Sequence, residues 1–85
     1  MDIYDKVAYN ILHYMDELSK SEKFIKAFPD MTIFEYICAK TNITPKRLAK
    51  ILEIGTKIKT RIDEVYRISI ALGVNVNEII SNKVK

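Results

Sequence analysis

Between Lys46 and Arg61 the chain places six cations, Lys46, Arg47, Lys50, Lys57, Lys59 and Arg61, against a single acid, Glu53. Such a cluster attracts a polyanion by Coulomb forces and by release of the counterions condensed on it, so nucleic acid is the ligand class it suits. A solvated helix face has the same composition, and the cluster alone does not separate the two. Thr56 and Thr60, interleaved with the cations, add hydroxyls able to bond a phosphate oxygen or a base edge. No other grouping assembles a reaction centre. His13, the single histidine, lies between Leu12 and Tyr14 and reads as a surface or core-edge residue. Cys38, the single cysteine, has no histidine near it in sequence to activate it and reads as a buried structural thiol. It also rules out an internal disulfide and a multi-cysteine zinc site. Asp16-Glu17 is an acidic pair with no second pair to oppose it. With no Ser/His/Asp set, no glycine-rich phosphate loop and no metal-ligand spacing, the expectation is a protein that is not an enzyme and uses no metal or cofactor.

The elements that must position these cations are helices. Eighty-five residues suit one small domain, and 48% apolar residues are enough for one core. Two glycines and two prolines are too few turn residues for an all-β fold. The net charge of +3 conceals a division along the chain. Residues 1–39 hold four lysines and seven acids, residues 40–67 eight cations and three acids, and residues 68–85 two lysines and one acid. One face of the fold is therefore expected to meet something anionic. No apolar run reaches the roughly 18–20 residues of a membrane span, and residues 1–20 lack a basic start and apolar stretch. A soluble, cytoplasmic protein with no membrane partner is expected.

Ile3, Val7, Ile11, Tyr14 and Leu18 recur at helical spacing and predict a helix over 3–18. Ser19 with Glu22 suits a capping box for a short segment through Phe24 and Phe28 that Pro29 ends. Thr32 with Glu35 is a clearer box for a helix over about 33–41, with Ile33, Phe34, Ile37 and Cys38 on one face. Thr44-Pro45 combines a cap with proline at the first helical position, opening a helix that carries Leu48, Ala49, Ile51 and Leu52. Thr60 with Asp63 opens a segment through Ile62, Val65, Tyr66, Ile68, Ile70 and Leu72, closed by Gly73. Asn75 with Glu78 caps a last short helix around Val76, Ile79 and Ile80, and residues 83–85 form a frayed tail.

The order of these pieces resembles the Cro/Xre-type (lambda-repressor-like) helix-turn-helix domain over about residues 31–81. Ile43-Thr44-Pro45-Lys46-Arg47-Leu48-Ala49-Lys50 looks like the family's second helix, with the small Ala49 where the two helices of the motif cross closely. Val65-Tyr66-Arg67-Ile68-Ser69-Ile70-Ala71-Leu72-Gly73-Val74-Asn75-Val76-Asn77-Glu78-Ile79 resembles its closing pair of helices and is the most specific match. The middle departs from the pattern. Glu53-Ile54-Gly55 falls where the family has Gly-Val-Ser, Lys59 occupies a position that is normally apolar, and the loop after Asp63 is absent. Two arrangements fit: one long helix from about Lys57 to Leu72, or a tight turn over 55–60 with the recognition helix lost.

The expected architecture is thus all-α, with five to six short helices: an N-terminal helical arm (1–29) and a helix-turn-helix domain (30–82). The resemblance implies a bacterial or phage/mobile-element transcriptional regulator that binds double-stranded DNA. Lys46, Arg47 and Lys50 would clamp phosphates, and Thr56, Lys57, Lys59, Thr60 and Arg61 would enter the groove. Tyr66 reads as core, with Arg67 a weaker candidate, and Tyr4, Tyr9, Tyr14 and Tyr36 as core or interface aromatics. Val7, Ile11, Tyr14 and Leu18 have the 4, 3, 4 spacing of a helix–helix seam, which either packs on its own domain or joins a homodimer. The alternative function keeps the scaffold without base readout, as a protein-binding antitoxin or inhibitor of a nucleic-acid enzyme.

Overall fold

The computed structural model describes residues 3–55 and 59–80 and places six helices along them: α1 (Ile3–Ser19), α2 (Glu22–Ala27), α3 (Ile33–Thr41), α4 (Pro45–Leu52), α5 (Ile62–Leu72) and α6 (Val76–Ile80). The fold is all-α, as the sparse turn residues and the helical spacings require.

Local chemistry sets most of the boundaries. Thr32 Oγ1 accepts from the Glu35 amide at 3.1 Å, and the Glu35 carboxylate accepts from the Thr32 amide at 2.9 Å. That second bond holds the Glu35 carboxyl below its usual range. Thr44 Oγ1 caps α4 by accepting from the Arg47 amide, with Pro45 in the first turn. α3 ends at Asn42 and α5 at Gly73, both in the left-handed conformation, with φ of 61° and 74°.

Three starts differ from expectation. α1 runs through Ser19, whose hydroxyl donates back to the Asp16 carbonyl, so Ser21 rather than Ser19 caps α2. α5 is opened by Arg61 and Glu64 rather than Thr60 and Asp63, the Glu64 carboxylate accepting from the Arg61 amide at 2.9 Å. At α6, the Asn75 side chain accepts from the Asn77 amide, while Glu78 reaches the Tyr14 hydroxyl instead of back to a cap.

α1 is the centre of the molecule. It packs against α3, α4, α5 and α6, placing Val7, Ala8, Ile11 and Met15 in a core with Ile37, Leu48, Ile51, Val65, Ile68 and Ile79. Val7 and Ile11 are 4% and 0% exposed, and Tyr14 and Leu18 pack against the same core. The seam is therefore spent on the chain's own fold and offers no dimer interface. The radius of gyration, 12.2 Å, is near the roughly 12 Å expected of one compact body this long, so residues 3–19 are not a projecting arm. Buried Asn10 donates to the Ile79 carbonyl at 2.7 Å, fixing α1 to α6. α2 is held by aromatic contacts, the rings of its Phe24 and of Phe28 at its C-cap lying 5.2 and 5.0 Å from Tyr36.

Candidate nucleic-acid interface

The cationic segment begins in the first turn of α4. Lys46 and Lys50, one turn apart, are exposed and make no ion pair with a described residue. Arg47 points the other way. Its Nε and Nη2 donate to the two carboxylate oxygens of Glu64 at 2.8 and 2.7 Å, and Nη2 also reaches the Lys59 carbonyl at 3.1 Å. Glu64 is nearly buried, so this bidentate pair, with the Arg61 amide as a third donor, is what makes an interior carboxylate tolerable. The Arg47 guanidinium first, and then the Arg61 amide, hold the Glu64 carboxyl below its usual range against the effect of burial. Arg47, expected at phosphate, is thus a framework residue. These bonds use three of its five N–H donors.

The same bridge draws two stretches of chain together. The Arg47 bonds to Glu64 and to the Lys59 carbonyl place residues 59–61 beside the start of α4. Lys59 and Arg61 are exposed there, Lys59 without an ion pair among the described residues. Arg61 approaches Asp63 at 3.2 Å, an acid it shares with Arg67 at 2.6 Å. Thr60 is half-buried. Of the expected contact residues, Lys46, Lys50, Lys59 and Arg61 are exposed, Arg47 and Thr60 are half-buried, and Thr56 and Lys57 lie outside the described residues.

No helix occupies residues 53–55 or 59–61, and α5 begins at Ile62. The single long helix from Lys57 to Leu72 does not form. Ala49, small enough to let a crossing helix approach, is exposed, and no described helix covers it. Gly55 adopts φ 92°, and its amide donates to Asp5 Oδ1 at 2.9 Å, tying the stretch after α4 to the first turn of α1.

Other residues singled out in the sequence are accounted for by packing. His13 pairs with Glu17 at 3.4 Å and meets the Tyr14 ring edge-on. Cys38 is half-buried beside the core, and desolvation raises its thiol pKa. Arg67, bonded to Asp63 and to the Thr41 carbonyl, braces α5 against the end of α3. Tyr66, expected in the core, is exposed instead, as are Ile62 and Ile70 on the same helix. The signal was present in the sequence: α5 holds more apolar residues than one buried face uses. Among the described residues no group of His, Cys, Asp and Glu could hold a metal, and no helix is long and apolar enough to cross a membrane.

Comparison with known proteins finds no matching family model, curated protein or solved structure.

Proposed function

We propose that the chain is a DNA-binding transcriptional regulator that grips the phosphate backbone of duplex DNA with Lys46, Lys50, Lys59 and Arg61. The observation that supports this reading is the Arg47–Glu64 bridge, which draws the stretch carrying exposed Lys59 and Arg61 to the start of α4, the helix on which Lys46 and Lys50 are exposed. Backbone contacts supply affinity and register rather than sequence information. The grip is electrostatic first and base-reading second, and Arg47 acts by joining the two stretches.

Four phosphate contacts give a dependence of log K on log salt with a slope of about −3.6, at roughly 0.9 per contact. Fluorescence anisotropy of a labelled duplex between about 50 and 200 mM salt measures it. Each Lys→Ala change at 46, 50 or 59 is expected to lower the slope by about one. Failure to bind any duplex at about 50 mM salt sinks the reading.

The exposed Ala49 and the helix-free stretches on either side of residues 56–58 favour a second reading, in which the same cations meet the acidic surface of a protein. The chain would then serve as an antitoxin or as an inhibitor of a nucleic-acid enzyme. A stoichiometric protein partner competing for Lys46 and Lys50, with no shift of duplex DNA, selects this reading over the first.

A further inference from the structure

α3 and α5 pack directly on each other and leave a groove of about 300 Å³ at their surface, lined by Tyr36, Lys40, Arg67, Ile70 and Ala71. That volume is at the small end of the roughly 300–1,000 Å³ that ligand pockets occupy. Each wall comes from one turn of helix. Tyr36 and Lys40 stand four residues apart on α3, and Arg67, Ile70 and Ala71 share one face of α5. We propose that this groove binds a small amphiphilic monocarboxylate, with the carboxylate on the Lys40 ammonium and the apolar body over Tyr36, Ile70 and Ala71.

The sign of the ligand follows from the charges at the groove. Two of its five lining residues are cations and none is an acid. The two cations have different duties. Arg67 is committed: Nη1 donates to the Thr41 carbonyl at 3.1 Å and Nη2 to the Asp63 carboxylate at 2.6 Å, which fixes one wall in place. Asp63 is itself shared with Arg61 at 3.2 Å, so positive charge stays in excess there. Lys40 is uncommitted. It is exposed, makes no ion pair with a described residue, and holds its ammonium 5.7 Å from the centre of the Tyr36 ring. A cation steadied over an aromatic face, with no carboxylate to neutralise it, offers a place for one negative charge. A dianion would need a second uncommitted cation, and Asp63 has taken up Arg67.

The body of the ligand follows from the floor. Ile70 is 61% exposed where it borders the groove, and Tyr36 and Ala71 are half-buried beside it. A bare inorganic anion leaves that apolar surface in water, whereas an alkyl or aryl body covers it. At ~30 Å³ for each water-sized group, the groove holds roughly ten of them, the size of octanoate. The inference does not depend on what Lys46, Lys50, Lys59 and Arg61 bind.

Titration of the isotopically labelled chain with octanoate, followed by amide chemical shifts, tests it. Octanoate is expected to shift Tyr36, Lys40, Arg67, Ile70 and Ala71 together, with a Kd of about 1 mM or below. Acetate carries the charge without the body and octylammonium the body with the wrong charge; at the same concentration both are expected to leave these amides in place. Lys40→Met keeps an apolar stem and removes the charge. It is expected to weaken octanoate about tenfold and to leave the response to octanol unchanged. Ile70→Ser is expected to lose both responses. Lys40 and Ile70 are exposed, so the remaining amide spectrum of either variant should stay that of the folded chain. Lys46→Met, which removes an exposed charge from α4, should change nothing. Shifts centred on α4, an equal response to octylammonium, or a Lys40→Met variant that binds octanoate like the unaltered chain overturns the proposal. So does an acidic Leu/Glu peptide that shifts the groove amides where octanoate does not, which would make the groove a protein-docking surface.

Discussion

Arg47 does at the residue scale what composition cannot foretell. It is one of eight cations in residues 40–67, and nothing local distinguishes it from Lys46 beside it. Its partner, Glu64, stands 17 residues away, where the spacing of Thr60 and Asp63 suggests a different cap. Only the tertiary contact between Arg47 and Glu64 reveals that one arginine is structural while its neighbours Lys46 and Lys50 stand exposed. Arg47→Ala is expected to cost about 2–3 kcal/mol, toward the low end for a broken buried pair because the arginine side is partly exposed. Thermal unfolding followed by circular dichroism measures this, and Arg47→Lys should recover little, since an ammonium lacks the fork that meets both oxygens. The pair also sets a pH dependence. Glu64 titrates lower in the folded chain than its ordinary value of 4.5, so the folded state binds fewer protons in that range. The stability it contributes is present above about pH 4.5 and is lost as pH falls through the lower folded value. Asp63 and Glu35 are shifted in the same direction. Glu64→Gln is expected to flatten the loss of melting temperature between pH 5 and pH 3.

Helix starts are written locally, and at the scale of the element most of them were legible. Thr32 with Glu35, Thr44 with Pro45, and Gly73 each act within four residues of themselves, so the chain alone reveals them. Where two hydroxyls compete, a local rule cannot choose. Ser19 and Ser21 both suit a cap, and the choice falls to Ser21 because α1 continues through Ser19. Ser21→Ala is therefore expected to cost about 1 kcal/mol and Ser19→Ala close to none, as read from paired denaturant titrations. Gly73→Ala should cost about 1 kcal/mol, because a Cβ is disfavoured at φ 74° even though nothing crowds the site. The start of α5 escaped the sequence for a different reason. It depends on Glu64 being held by Arg47, a tertiary contact, whereas the exposure of Ile62, Tyr66 and Ile70 follows from α5 holding more apolar residues than one buried face uses.

For the whole molecule, the division of charge along the chain takes on a three-dimensional meaning. The acid-rich first segment supplies the central helix, and the basic segment buries Leu48, Ile51 and Val65 against it while Lys46, Lys50, Lys59 and Arg61 stay exposed. Of the two partners left open for residues 1–29, the chain's own core is the one that Val7 and Ile11 meet; a spacing of 4, 3, 4 describes any buried helix face, whether the partner is another chain or its own, and so does not choose between them. A fragment spanning residues 30–85 is expected to lose cooperative unfolding, since removing α1 bares Ile37, Leu48, Ile68 and Ile79 together. Differential scanning calorimetry of that fragment distinguishes this from an autonomous helix-turn-helix domain, which would melt as a unit. The bond from Asn10 to the Ile79 carbonyl spans 69 residues and has a consequence for time rather than for shape. During synthesis the first helix emerges with its apolar face complete and its counterpart still unmade, so the core cannot close until the last helix has been added. A small helical protein would ordinarily fold in microseconds to milliseconds on local contacts; here the first and last turns must find each other, and refolding should be slow for a bundle of this size.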